Sequence, residues 1–308
     1  MIYGWRTQSK TSRNKKTHER KKRGFKKRPH WYYQSFSSTS VSEEEVRKHK
    51  MKIKNWTAYL GDCLEIMKWF DSESIDLTVT SPPYDNLRTY NDSLNWNFDI
   101  FKEIAKEIYR VTKQGWVLVW VVWDETNKFC ESMTSFRQAL YFNEIWFNIL
   151  DTMIYYKQNY APAYPTLRRY ANQFEYMFVF SKGKPKTFNP VQREKVRSTD
   201  KKSQYRKPDW EIVKRFLKQN KRDLKDASNV WEYPVWFKNL WHPAVFPEKL
   251  AEDHILSWSN PWDIVLDPFG WSFTTGKMAE LNWRKWICIE KDDWYYNIGV
   301  NRIQNLSN

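Results

Sequence analysis

Glycine is scarce in this sequence. The chain has 308 residues and only 8 glycines, whereas ordinary usage of about 7% would give roughly 22. Tryptophan, by contrast, occurs 19 times. Folds use glycine where the backbone takes a positive φ or passes close to a ligand. The scarcity therefore raises the question of which residues stand at such places.

Cysteine and long apolar runs are also in short supply. Cys63, Cys130 and Cys288 are scattered and form neither a zinc-ligand spacing nor a disulfide framework. The longest apolar run, residues 116–123, is too short to span a bilayer, and no signal-peptide pattern is visible. We therefore expect no metal and no membrane span, and a reducing, cytoplasmic setting.

Positive charge is abundant and concentrated at one end. The net charge is +15, and residues 1–30 hold twelve Lys/Arg against one acid. This balance predicts a polyanionic partner such as nucleic acid, with a membrane surface as the weaker alternative. Residues 1–50 lack apolar periodicity, which indicates a basic disordered arm. Either this arm binds DNA, or it is a solvated tail, or it is upstream sequence translated from before a true start at Met51.

Beyond residue 51, strand and helix patterns alternate, which predicts an α/β fold with a mostly parallel sheet. Apolar runs at 75–80, 116–122, 264–267 and 285–290 are typical of buried strands, and residues 99–113 of an amphipathic helix. The segments 152–157 and 175–182 are predicted to be paired strands, and 210–219 a helix. With 41% apolar residues, the chain can bury a sizeable core.

Polar segments follow several of these strands, at the ends where ligands bind in parallel sheets. They are Asp62, Ser81-Pro82-Pro83-Tyr84, Asp267-Pro268-Phe269 and Glu290. A single aspartate in such a place is often only the cap of the next helix, but the repeated position predicts a site. Two prolines stop strand pairing, so the tetrapeptide leaves the sheet as a stiff frame that carries a hydroxyl, carbonyls and a ring.

The sequence "TSPPY", together with "DIVLDPFGWSFTTG", resembles the amino-group DNA methyltransferases that use S-adenosylmethionine. The order, tetrapeptide first and cofactor motif last, is similar to that of the circularly permuted beta class. The resemblance covers roughly residues 53–189 and 241–303. It implies a Rossmann-like class I methyltransferase sheet, with a catalytic half at 51–189, a small target-recognition insert at 190–240 and a cofactor-binding half at 241–308.

The resemblance implies that Ser81, Pro82, Pro83 and Tyr84 are the catalytic residues. An exocyclic amino nitrogen is a poor nucleophile because its lone pair is delocalised into the base. Ser81 Oγ and the Pro82 carbonyl can accept its protons within a rigid frame, and Tyr84 can stack on a base flipped out of the duplex. Serine at the first position goes mostly with cytosine N4 in this family, and adenine N6 is the alternative. The absence of a Pro-Cys dipeptide argues against methylation of cytosine carbon 5.

The same resemblance implies the cofactor contacts and the partners. S-adenosylmethionine would contact Asp62, His242, Pro243, Phe246, Asp267, Pro268, Phe269, Ser272, Thr274 and Glu290. The Glu290 carboxylate suits the two ribose hydroxyls, whereas His242 has a purely structural hydrogen-bonding role as its alternative. Double-stranded DNA is the implied partner, joined by a cognate restriction endonuclease if the enzyme belongs to a restriction–modification pair rather than acting alone.

The cofactor loop departs from the family pattern, which reads roughly DPF-x-G-S-G-T-T. Here Trp271 and Phe273 stand at the two glycine positions, where the backbone must pass close to the ligand. Two large aromatic side chains could fill the cofactor pocket. A catalytically inactive, DNA-binding relative is therefore the alternative function.

Six tryptophans stand where a fold of this kind wants glycine: Trp116, Trp123, Trp146, Trp262, Trp271 and Trp283. Trp262 follows a proline in a turn and Trp283 follows an asparagine, which are both glycine contexts. We hypothesise that their codons are UGA, read as glycine in the source lineage. The hypothesis predicts positive φ at these positions, where a bulky residue is a genuine outlier.

Overall fold

The computed structural model of the chain describes residues 50–53, 56–84, 96–127, 129–160, 168–194, 203–206, 212–215, 224–235 and 247–306. All of them belong to one compact unit, residues 41–308. The predicted arm, except for Lys50, and the predicted cofactor residues His242, Pro243 and Phe246 lie outside the described residues. So does much of the segment 190–240.

The described strands alternate with helices, as the sequence patterns predict. The strands are β1 (Lys50–Ile53), β2 (Trp56–Leu60), β3 (Ile75–Thr80), β4 (Thr112–Val122), β5 (Thr126–Asn127), β6 (Cys130–Glu131), β7 (Asn148–Lys157), β8 (Phe174–Ser181), β9 (Gln192–Glu194), β10 (Ser203–Arg206), β11 (Ile212–Arg215), β12 (Leu224–Asp226), β13 (Val230–Tyr233), β14 (Ile264–Asp267) and β15 (Lys285–Glu290). The helices are α1 (Cys63–Met67), α2 (Phe98–Val111), α3 (Thr134–Glu144), α4 (Glu248–Trp258), α5 (Thr274–Leu281) and α6 (Asp293–Gln304). Within the described ranges, none of these helices has the length and apolar character that crossing a membrane requires.

A nine-stranded sheet forms the centre of the fold, in the order β1-β2-β15-β14-β3-β4-β8-β7-β13. The five strands from β2 to β4 are mutually parallel. Strand β8 runs antiparallel to both β4 and β7, which confirms the predicted pairing of 152–157 with 175–182. The α/β prediction is confirmed, and β14 and β15 lie between the earlier strands β2 and β3.

Burial explains why the central strands form where the apolar runs predict them. Every residue of β3 is buried, and so are the last eight residues of β4, as expected for parallel strands covered on both faces. Helix α2 is capped at its N-terminus by Asn97, whose side chain accepts hydrogen bonds from two backbone N–H groups. It buries Ile104, Ile108 and Val111, among others, against this sheet.

The prediction of a helix at residues 210–219 is wrong. Within that stretch the described residues Ile212–Arg215 form strand β11, which pairs antiparallel with β10, Ser203–Arg206. A segment of this length is marginal as a helix in the absence of tertiary packing, whereas pairing with a neighbouring strand satisfies the backbone of both segments.

Positive φ occurs at four of the six tryptophans singled out by the sequence. The values are 79° at Trp146, 73° at Trp262, 47° at Trp271 and 64° at Trp283. The prediction is wrong for Trp116 and for Trp123, which have no positive φ. Near the start of β4, the preceding residue Gly115 has the positive φ, 84°. Trp116 can therefore keep the negative φ of an ordinary strand residue.

Three of these tryptophans lead to a stability prediction. Trp146, Trp262 and Trp283 are 54%, 57% and 70% exposed, so glycine there removes less buried surface than it would in the core, and that loss offsets only part of the gain in backbone energy. A left-handed backbone costs an L-residue about 1–2 kcal/mol, which the flexibility of glycine in the unfolded chain offsets by about 0.4–1 kcal/mol. We expect the triple glycine variant to melt roughly 2–4 °C higher, as measured by calorimetry.

The matched control is Trp116→Gly, which changes a tryptophan that is 9% exposed in β4 and lacks positive φ. Loss of a buried aromatic side chain costs about 3–5 kcal/mol, so this variant should melt at a clearly lower temperature. If the triple variant loses stability like the control, the three positions do not favour glycine.

Candidate active site

The carboxyl ends of four parallel strands meet at one edge of the sheet. Asp62 follows β2, Ser81 follows β3, Asp267 ends β14 and Glu290 ends β15. The strand ends are tied together, because the Gly61 N–H donates to the Glu290 carbonyl at 2.8 Å. The predicted convergence of these segments at one edge is therefore present in the structure.

The Ser81–Tyr84 tetrapeptide leaves β3 as a compact, hydrogen-bonded frame. Ser81 Oγ lies 2.8 Å from the Tyr84 hydroxyl, which donates to Glu175 Oε2 at 3.0 Å. The intervening Pro82 and Pro83 are buried, and Tyr84 is 8% exposed. The serine hydroxyl is thus held by the ring hydroxyl three residues later.

A cavity of ≈ 130 Å³ lies beside this frame. Among the predicted site residues, its lining includes Asp62, Pro83, Pro268, Phe269 and Glu290. The sequence reasoning missed several further lining residues: Cys63, Trp96, Ile100 and Ile104. The isoleucines belong to the apolar face of α2, and such a face looks the same in sequence whether it contacts a core or a ligand.

Glu290 is oriented by the backbone around it. Its Oε2 accepts from the Trp271 N–H at 2.7 Å, and its Oε1 accepts from the Asp292 N–H at 2.8 Å. Each carboxylate oxygen can accept a further hydrogen bond, so a ligand with two neighbouring hydroxyls suits this group. Burial raises the pKa of Glu290 to about 7, and hydroxyl donors from a ligand would favour its charged form.

Asp267 joins two strand ends instead of lining the cavity. Its Oδ1 accepts from Thr80 Oγ1 at 2.6 Å and from the Phe269 N–H at 3.2 Å. Burial raises the pKa of Asp267 to about 7, against the opposing effect of these hydrogen bonds. The carboxyl therefore fixes the end of β3, directly before Ser81, to the end of β14.

Asp62 has a structural role in addition to its place in the cavity wall. Its Oδ1 accepts from the Leu64 N–H at 2.9 Å, which caps α1. Its Oδ2 lies 3.2 Å from Lys291 Nζ. The cap that a lone aspartate at a strand end often provides is thus present here, alongside the proximity to Glu290.

Ser272 and Thr274 accept hydrogen bonds from the side chain of Arg302. Arg302 Nη1 donates to the Ser272 carbonyl at 2.6 Å, to Ser272 Oγ at 2.7 Å and to Thr274 Oγ1 at 3.2 Å. Neither residue belongs to the cavity lining. The structure therefore gives these two residues a role in fixing the loop to α6, and does not bring their side chains to the cavity.

The two aromatic residues of the loop take different places. Trp271 lines the cavity, and its indole N–H donates to the Ser81 carbonyl at 3.2 Å. Phe273 is fully buried instead, and its ring packs so closely on α6 that a Cβ at Gly299 would approach it to 2.5 Å. Of the two rings that the sequence predicts in the cofactor pocket, only Trp271 lies in the wall of this cavity, and Phe273 does not line it.

Comparison with known proteins gives this arrangement a context. A family model described as a DNA methylase, N6_N4_Mtase, matches residues 75–301. The chain belongs to this DNA methylase family. Over 257 residues this chain is 48% identical to the orphan methyltransferase M.BamHII of Bacillus amyloliquefaciens. The alignment covers 80% of this chain and 91% of the relative.

Solved structures match the fold of this DNA methylase. The PvuII DNA methyltransferase, described as cytosine-N4-specific, gives a TM-score of 0.62 at 24% identity, covering 82% of this chain and 87% of that chain. The complex of M1.HpyAVI with SAM gives 0.52 at 24% identity, covering 80% and 98%. At this level of identity, the likeness establishes the shared architecture.

Among the residues that the structure describes, no three His, Cys, Asp or Glu side chains could hold a metal ion.

Proposed function

We propose that this DNA methylase transfers a methyl group from S-adenosylmethionine to the exocyclic N4 of cytosine in double-stranded DNA. The observation that carries the proposal is the serine hydroxyl at the head of the tetrapeptide, held 2.8 Å from the Tyr84 hydroxyl in a frame whose Pro83 lines the cavity. The description of the PvuII enzyme as cytosine-N4-specific is consistent with it. Adenine N6 is the alternative within the same family.

The cofactor supplies a methyl group on a sulfonium centre, which an attacking nitrogen can take in line. Glu290 is suited to the ribose hydroxyls because its oxygens are already oriented by two backbone N–H groups. Phe269 and Asp62 form other parts of the same wall. The residue types therefore fit the cofactor, and the solved M1.HpyAVI complex with SAM is consistent with that assignment.

The tetrapeptide would act on the base. A cytosine amino group has two protons and a delocalised lone pair, so acceptors at Ser81 Oγ and the Pro82 carbonyl let the nitrogen become tetrahedral as it reacts. The base must leave the duplex to reach this frame. The rigid Pro82-Pro83 backbone keeps both acceptors in place, and such preorganisation reduces the barrier.

The modified base is identified by nucleoside analysis. DNA from host cells that lack N4-methylcytosine and express this chain is digested and examined by mass spectrometry, with Ser81→Ala expression as the control. We expect N4-methylcytosine only with the unchanged chain. N6-methyladenine in its place would support the adenine alternative, and no methylated base in either sample would contradict methyl transfer.

Trp271 favours a second candidate function, that of a catalytically inactive DNA-binding relative. Sites for small ligands usually enclose about 300–1,000 Å³, and the cavity beside this indole measures ≈ 130 Å³. Calorimetric titration with S-adenosylmethionine separates the two candidates. Cofactor binding supports the enzyme, whereas DNA binding without cofactor binding supports the inactive relative.

A further inference from the structure

A chain of hydrogen bonds leads away from the serine of the tetrapeptide. Ser81 Oγ lies 2.8 Å from the Tyr84 hydroxyl, the Tyr84 hydroxyl donates to Glu175 Oε2 at 3.0 Å, and Lys157 Nζ lies 2.8 Å from Glu175 Oε1. Glu175 belongs to β8, 91 residues after Tyr84. Neither the family comparison nor the tetrapeptide pattern gives this glutamate a role.

The ionised carboxylate of Glu175 sets the donor and acceptor roles in this series of hydrogen bonds. A carboxylate only accepts hydrogen bonds, so Tyr84 must be the donor to Glu175. The Tyr84 oxygen can then accept the proton of Ser81, which turns the serine lone pairs toward an incoming amino group. We propose that Glu175 is a positioning residue that keeps Ser81 Oγ an acceptor for the protons of the target amino group. The proposal rests on the proposed function, since it needs an exocyclic amino substrate.

Neighbouring groups fix the glutamate in place. The side chains of Lys157 and Glu175 are only 10% and 13% exposed, and Lys157 Nζ lies 3.8 Å from the centroid of the Trp123 ring. On the adjacent strand, Tyr155 also faces the carboxylate: burial and then the negative charge of Glu175 raise the pKa of that phenol. Lys157 is the cation that compensates the carboxylate among the described residues near it.

The reaction balances along this path. The nitrogen lone pair forms the new N–C bond, and the electrons of the broken S–C bond stay with sulfur. One amino proton passes to Ser81 Oγ as the serine proton passes to Tyr84 and the tyrosine proton passes to Glu175. The carboxyl group, which is partly open to solvent, then releases that proton to water.

The test replaces the carboxylate by an amide of the same shape. In Glu175→Gln the amide nitrogen can donate to Tyr84 and reverse the chain, so Ser81 would present its proton to the amino group. Because a hydrogen bond to a charged group is stronger than one to a neutral group, we expect kcat to fall about tenfold, which corresponds to about 1.4 kcal/mol. The cofactor Kd and the KM for duplex DNA should not change, which a general loss of structure would not reproduce. Glu103→Gln, an exposed pair with Lys106 on α2, is the matched control and should keep full activity.

A double-mutant cycle tests whether the three groups act as one chain. Tyr84→Phe removes the middle hydroxyl, so adding Glu175→Gln to it should cost no further activity. The measurements use single-turnover methyl transfer at saturating cofactor, in the unchanged chain and in a Trp271→Gly background. Parental kcat in Glu175→Gln, or additive losses in the double variant, would overturn the proposal while leaving the proposed function intact. Methyl transfer in neither background would overturn both.

Discussion

Ser81→Ala is expected to lower the turnover number for methyl transfer by tenfold to a thousandfold, a range typical of losing one preorganised catalytic hydrogen bond. The variant removes the acceptor at Oγ but keeps the Ser81 carbonyl that accepts from the Trp271 indole. The cofactor Kd should therefore stay within about twofold of its parental value. Turnover at saturating cofactor and calorimetric titration check the two expectations.

Ser81→Thr is the matched control because it keeps a hydroxyl at the same place on the frame. It should retain most of the activity that the alanine variant loses. Equal turnover in the alanine variant and the unchanged chain would mean that the serine hydroxyl does not accept the amino proton, and the assignment of the tetrapeptide would be wrong.

Trp271→Gly is expected to tighten S-adenosylmethionine binding on the order of a hundredfold. The indole forms part of the wall of a cavity of ≈ 130 Å³, so the cofactor must displace it, and about 2.7 kcal/mol for that displacement corresponds to a hundredfold. The backbone N–H of residue 271, which donates to Glu290 at 2.7 Å, is kept in the variant. The measurement is the calorimetric Kd.

Two further variants separate the volume of the side chain from the strain of the backbone. Trp271→Ala empties the cavity but leaves a Cβ at φ 47°, and Trp271→Phe keeps an aromatic ring. Affinity should rank glycine above alanine, and both above phenylalanine and tryptophan. If glycine binds the cofactor no better than tryptophan, the indole does not obstruct the site.

The codons of the gene test independently whether the four tryptophans with positive φ are glycine in the natural protein. UGA codons at 146, 262, 271 and 283, read as glycine in the source lineage, would make the glycine forms the protein that the cell produces. UGG codons would make the aromatic loop genuine and would favour the inactive relative. Because Trp116 and Trp123 have no positive φ, the structure gives no reason to expect glycine at those two positions.

Strand ends were predictable from sequence because each polar residue directly follows an apolar run. This places Ser81, Asp267 and Glu290 at one edge of the sheet, as the fold requires. The contacts that give those residues their setting were not predictable. Glu175 reaches Tyr84 from 91 residues away, and no local pattern encodes a contact at such a separation.

Errors in the sequence interpretation have a similar origin. The segment 210–219 has helical spacing, yet pairing with Ser203–Arg206 makes residues Ile212–Arg215 a strand. The cofactor role predicted for Ser272 and Thr274 stays a prediction, but their contacts with Arg302 were likewise not visible in the sequence. In each case a tertiary partner, which periodicity cannot reveal, decides the outcome.

The strand order of the central sheet has a consequence for how the chain reaches its native state. Strands β14 and β15 lie between β2 and β3, and the Thr80–Asp267 hydrogen bond joins residues 187 positions apart. Contacts of such long sequence separation make folding slow, because the loop must close before any pairing is gained. Until β14 arrives, β3 has an unpaired edge open to other chains. During synthesis, therefore, the nascent chain must be kept from aggregating until residues 264–290 have left the ribosome and filled the centre of the sheet.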